Sequence, residues 1–195
     1  LKPGLDIIKK LGGIHQFFSW KGSIFTDSGG FQLTRDELIS RISADGVEFI
    51  SPFDKSRHFI TPEKAIQIQN ALNSDVIMCL DCVPKVLATK HSVKRCVELT
   101  SSWAERCIAA HRNRRQMIFA ISQGGIYKDL RKQSISELRS LEFDGYCIGG
   151  LSIGEPKSKT VELTKFSAEL MPFDKPRYLM GVGEIEDFVK AVSLG

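Results

Sequence analysis

Two kinds of apolar pattern alternate along the chain. Short unbroken runs, Val76-Ile77-Met78-Cys79-Leu80 and Met117-Ile118-Phe119-Ala120-Ile121, have the length and continuity of strands buried on both faces. Other stretches repeat their apolar residues at helical spacing: Leu5 to Leu11, roughly Thr89 to Ala110 with Val93, Val97 and Trp103, about Asp129 to Leu141, and Lys157 to Leu170. Thr61-Pro62-Glu63 predicts a helix start by its chemistry, with a hydroxyl cap, a proline at the first position and an acid in the first turn. That helix runs to about Ser74. Gly12-Gly13 ends the first helix, and a last one begins near Ile185. Shorter extended pieces are predicted at Ser23 to Thr26, Gly46 to Ile50, Gly145 to Ile148 and Arg177 to Met180, and a short helix at Thr34 to Ile42.

Strand, polar or glycine-rich turn, helix, repeated, is the rhythm of a parallel sheet with helical crossovers. Each strand leaves a polar group or a glycine turn at its carboxyl end: Asp27, Asp81, Gln123, Gly149-Gly150 and Met180-Gly181. In a barrel those ends share one face, where such folds keep their chemistry. A doubly wound dinucleotide fold would want G-x-G-x-x-G after its first strand, and none stands there. The expected fold is therefore α/β, a (β/α)8 TIM barrel, in a single domain over residues 1–195. At 195 residues the chain is short of the roughly 250 of a complete barrel, so the barrel is expected to be incomplete.

Composition narrows the class. Hydrophobic content of 42% and charged content of 26% fit an ordinary globular protein. No apolar run is long enough to span a membrane, and Leu1-Lys2-Pro3-Gly4 has no signal-peptide shape, so a cytoplasmic location is expected. The net charge of +4 permits nucleic-acid binding without demanding it. Arg112, Arg114 and Arg115 read as the basic C-terminal end of the long helix. Five cysteines suggest reduced thiols. Cys79 and Cys82 have C-x-x-C spacing, but no further thiol or histidine follows closely enough to complete a zinc set.

The most telling stretch is Phe25-Thr26-Asp27-Ser28-Gly29-Gly30-Phe31-Gln32. A carboxylate at a strand end, a glycine turn that lets the backbone approach a ligand, and a flat ring suit a planar polar molecule. The plainer alternative is that Asp27 caps the next helix. Asp81 and Gln123 supply acceptors and an amide with both donors and an acceptor, which complement a guanine-like edge. Phe31 and Met180 can sandwich its ring. Equally, Asp81 and Gln123 can serve only to satisfy loop amides.

These residues, with Ser51-Pro52, Thr61-Pro62-Glu63-Lys64, Gln123-Gly124-Gly125, Gly149-Gly150-Leu151-Ser152-Ile153-Gly154-Glu155 and Lys175-Pro176-Arg177-Tyr178-Leu179-Met180-Gly181-Val182-Gly183, resemble tRNA-guanine transglycosylase, the queuine tRNA-ribosyltransferase family. The motifs stand in family order over nearly the whole chain. The resemblance implies a pentosyltransferase of the queuosine pathway. It exchanges guanine at the anticodon wobble position of tRNA for a 7-substituted 7-deazaguanine through a covalent enzyme–RNA intermediate. It implies Asp27 as general acid/base. Ser28, Phe31, Asp81, Gln123, Gly149, Gly150, Leu151 and Met180 would bind the base. Two carboxylates near one pocket are expected to raise the pKa of at least one.

The resemblance also places the nucleophilic Asp, and a zinc site of three cysteines and a histidine, after the Gly181-Val182-Gly183 turn. Both are expected beyond Gly195, with the first barrel strands ahead of Leu1. The metal site within this chain is expected to be none, and the 195 residues alone are expected not to exchange bases. A homodimer is expected of the full-length protein. Ile153 favours a small incoming base, whereas Val83 and Cys82 depart from that pattern, so the base stays open. Two other readings remain: a non-catalytic subunit that binds tRNA or a catalytic partner, and an unrelated glycosidase using two carboxylates.

Overall fold

The structure is a computed structural model that describes residues 3–30, 39–85 and 88–195. Helices α1 (Leu5–Lys10) and α2 (Ile14–Phe18) precede strand β1 (Phe25–Thr26). Strands β2 (Ile39–Ser43), β3 (Gly46–Ile50) and β4 (Arg57–Ile60) follow, then α3 (Pro62–Leu72) and β5 (Val76–Met78). The rest alternates: α4 (Lys90–Ala110), β6 (Met117–Ser122), α5 (Lys128–Arg139), β7 (Gly145–Ile148), α6 (Lys157–Leu170), β8 (Arg177–Leu179) and α7 (Ile185–Ser193). One sheet runs in the order β1-β5-β6-β7-β8, with the β1–β5, β5–β6 and β7–β8 pairs parallel. A second, antiparallel sheet has the order β2-β3-β4. The chain is α/β with a parallel sheet, as its alternating pattern predicts.

The chain divides into two compact units, which share strand β6 and helix α4 between them. The first comprises Leu1–Asp81 and Ser102–Phe119, the second Cys82–Ser101 and Ala120–Gly195.

In the first unit, Thr61 caps α3 by accepting from the Lys64 N–H at 3.2 Å. The helix ends at Asn73, whose left-handed φ of 59° stops it. Gln69, buried on α3, behaves as an extra strand partner for β5. Its Nε2 donates to the Met78 carbonyl at 2.8 Å, and its Oε1 accepts from the Met78 N–H at 3.0 Å. Thr26 Oγ1 donates to the same Oε1, so one amide holds the ends of β1 and β5. These are the ends that deliver Asp27 and Asp81.

Two expectations fail here. Residues 39–42 were predicted to be helical but form β2, while residues 34–38 lie outside the described residues. The Ala44-Asp45 turn folds β2 back onto β3, and this pairing overrides a spacing that also fits a helix. Arg112, Arg114 and Arg115 lie past the end of α4 at Ala110, so they form no part of its last turn. Helix α2 and strand β4, which no periodicity announces, are additional elements.

In the second unit, Val93 and Val97 of α4 pack with Leu130 of α5. Helix α5 turns Leu130, Arg131, Ser134, Ile135 and Leu138 inward. An arginine inside this stripe is unusual.

Candidate active site

Asp27 follows β1 directly, and in the first unit the turn after it is closed by a short local bond. The Gly30 N–H donates to Ser28 Oγ at 3.2 Å. Gly29 has a φ of 83°, a conformation that disfavours any side chain, with open space around it. Gly30 lies against Asp81: a Cβ there would stand 3.0 Å from the Asp81 carbonyl oxygen and 3.1 Å from its carboxylate Oδ1. The second carboxylate is thus brought to the turn that carries the first, and Gly30 is what lets it approach. Asp81 is buried, with 6% of its surface exposed.

Partial burial raises the pKa of the Asp27 carboxyl above the ordinary aspartate value. The expected direction holds, but its cause is desolvation, not the charge of a second carboxylate. The residue keeps an edge in solvent, as a group that exchanges protons needs. Phe31, expected to stack on the ring, lies outside the described residues.

The second unit gathers Gln123, Gly149, Gly150 and Leu151. Gln123 follows β6 and is fully buried, its N–H donating to Ser134 Oγ at 3.1 Å. The Gly149 N–H donates to the Ser122 carbonyl at 3.0 Å, extending the ladder past β7. A Cβ on Gly149 would meet Ile121 at 2.7 Å and Gln123 Nε2 at 2.9 Å. One on Gly150, whose φ is 63°, would collide with Gln123 Oε1. The glycine pair is therefore pressed against the Gln123 amide. Met180 continues β8, its N–H donating to the Ile148 carbonyl at 3.2 Å. Gly181 beside it lies near the Leu151 carbonyl.

Two residues of this loop system were given no role by the sequence reading. Glu155 accepts from the N–H groups of Ser152 and Ile153 and from Thr160 Oγ1 at 2.7 Å. Burial pushes its pKa up, but the bonds from Thr160 and the loop amides outweigh that and leave it lowered. Arg131 donates to the carbonyls of Gly125, Gly149 and Gly150. The available signal was a cation on the apolar face of a helix.

Cys79 is buried, and Cys82 Sγ lies 3.2 Å from Cys96 Sγ. Among the described residues no group of three or more His, Cys, Asp or Glu is placed to hold a metal ion. Nor is any described helix long and apolar enough to cross a membrane.

A family model described as queuine tRNA-ribosyltransferase matches residues 1–195, the entire chain. The chain belongs to the queuine tRNA-ribosyltransferase family. It is 50% identical over 196 residues to the queuine tRNA-ribosyltransferase of Caldanaerobacter subterraneus subsp. tengcongensis, covering 100% of this chain and 52% of that protein. The enzyme of the same name from Thermoanaerobacter pseudethanolicus is also 50% identical with the same coverage. That of Psychrobacter cryohalolentis is 47% identical over 197 residues, covering 51% of its length. The chain thus spans about half the length of the relatives it matches. The family read from the motifs is borne out.

Proposed function

We propose that the protein exchanges guanine at the wobble position of tRNA for a 7-substituted 7-deazaguanine, with this chain supplying its base-binding residues as part of a TIM barrel. The family membership supports the reaction class. The observation that carries the site is the turn after β1, which sets Asp27 and Ser28 beside Gly30 and the buried Asp81 carboxylate.

In the reaction an enzyme carboxylate bonds to ribose C1′ as the C1′–N9 bond breaks. The electron pair leaves with guanine, which takes up a proton. The incoming base then gives up its N9 proton and displaces the carboxylate from C1′. Asp27 handles these protons as general acid/base, and its raised pKa brings it closer to the pH at which it works. Asp81 and Gln123 recognise the polar edge of the base with the backbone of Gly149, Gly150 and Leu151. Ser28 sits beside Asp27, and the resemblance assigns Phe31 and Met180 to the two faces of the ring. No residue of this chain is assigned as the nucleophile. The zinc that the resemblance implies finds no fitting ligand set among the described residues, and no step depends on it. The family resemblance also supports a cytoplasmic homodimer.

Incorporation of labelled guanine into tRNA by the full-length protein tests the reading. Activity in the wild type and its loss in Asp27→Ala are expected. Wild-type protein that binds tRNA without incorporating guanine would point to the non-catalytic subunit instead.

A further inference from the structure

Arg131 projects from α5 into the second unit and is fully buried. Its Nε donates to the Gly125 carbonyl at 2.7 Å, and its Nη2 donates to the carbonyls of Gly149 at 3.2 Å and Gly150 at 3.3 Å. One side chain therefore ties the turn after β6 to the turn after β7. A trans peptide points its C=O and N–H in opposite directions. Holding the Gly149 and Gly150 carbonyls on the guanidinium turns the N–H groups of Gly150 and Leu151 away from it.

We infer that Arg131 is a positioning residue that aims the Gly150 and Leu151 N–H groups at the base, and so sets affinity for the base and not for tRNA. The inference rests on the base-exchange reading, which assigns that loop to the base. Two further observations separate it from a packing role. Nη1 is buried with no hydrogen-bond partner among the described residues, and burial lowers the guanidinium pKa to about 10. A cation so placed costs stability that an apolar side chain of similar length would not. What it supplies in return is a planar fork whose separate nitrogens reach three carbonyls at once. The approach of the backbones is also close: a Cβ on Gly124 would stand 2.6 Å from the backbone nitrogen of Arg131.

The test is steady-state exchange of labelled guanine into tRNA by full-length Arg131→Lys and Arg131→Met. Lys keeps the charge but offers a single nitrogen, and Met keeps only the length. The KM for guanine is expected to rise about tenfold or more in Met, with Lys between Met and wild type. The KM for tRNA should stay unchanged and kcat should fall by no more than about threefold. A guanine KM at the wild-type value in Met, or equal rises for guanine and tRNA, would overturn the inference. Should neither variant fold, amide hydrogen exchange on the wild type decides. Protection of residues 150–151 on adding guanine is expected, and unchanged exchange there overturns the assignment. Wild-type protein that incorporates no guanine sinks the base-exchange reading instead, a result distinct from any KM pattern.

Discussion

The turns after β1 and after β7 each contain two consecutive glycines, yet they use them for different ends. At Gly29 the backbone needs a φ of 83° and the space around it is empty, so glycine supplies conformation. At Gly149 the space is taken by Ile121 and Gln123, so glycine supplies clearance. Gly150 needs both, and Gly30 needs clearance from Asp81. The first turn is closed by one local bond from Gly30 to Ser28, beside a carboxyl that still meets solvent. The second is wedged against a buried amide and tied to a buried guanidinium. On the proposed base-exchange reading, the group that moves protons sits on the looser turn and the groups that read shape sit on the tighter one.

The sharpest break of this contrast is Asp27→Ala in the full-length protein. Guanine incorporation is expected to drop by about 10²- to 10⁴-fold, with the urea midpoint nearly unchanged because the residue keeps an edge in solvent. Unaltered incorporation would remove Asp27 from the chemistry. Gly150→Ala should act the other way, on folding. Left-handed strain and the collision with Gln123 together cost about 2–5 kcal/mol, read from urea unfolding. Gly29→Ala meets no neighbour and carries only the backbone strain, about 1 kcal/mol in the same assay. Equal losses at the two positions would erase the distinction between clearance and conformation.

The smallest effect lies away from both turns. Arg106 grips Glu63 through two bonds, of 2.6 and 2.8 Å, and lowers the glutamate pKa from 4.5 to about 2. Because the folded value is depressed, the pair stabilises the fold above pH 4.5 and loses that contribution as pH falls towards 2. Both side chains are about a third exposed, so the stability difference between wild type and Glu63→Gln at neutral pH should be about 1 kcal/mol or less. It should shrink steadily on acidification. A difference independent of pH would mean that shape, and not charge, matters there.

Long amphipathic or wholly apolar segments were legible to within a residue or two. Lys157–Leu170 and Gly145–Ile148 match at both ends, since their burial pattern is written locally. The outer strands of the antiparallel sheet were not. Residues 39–42 carry a spacing that suits helix and strand alike, and only pairing with Gly46–Ile50 decides. Strand β4 is exposed at Arg57, His58 and Phe59, and it exists because β3 offers it a ladder. Asp27, Asp81 and Gln123 were legible as polar residues at strand ends. Arg131 was not, because its partners are carbonyls, which every residue has.

The order of apolar runs and polar strand ends by itself determined the α/β class and the parallel sheet, while the resemblance of the motifs marked the family. Those features depend on hydrophobic period and residue type, which act over a few neighbours. Tertiary structure alone decided that Asp81 meets Gly30 and that Arg131 fixes the peptide planes at Gly149 and Gly150. Such contacts join residues far apart in the chain, and whether a buried charge finds a carbonyl depends on how whole elements dock. No local propensity carries that information.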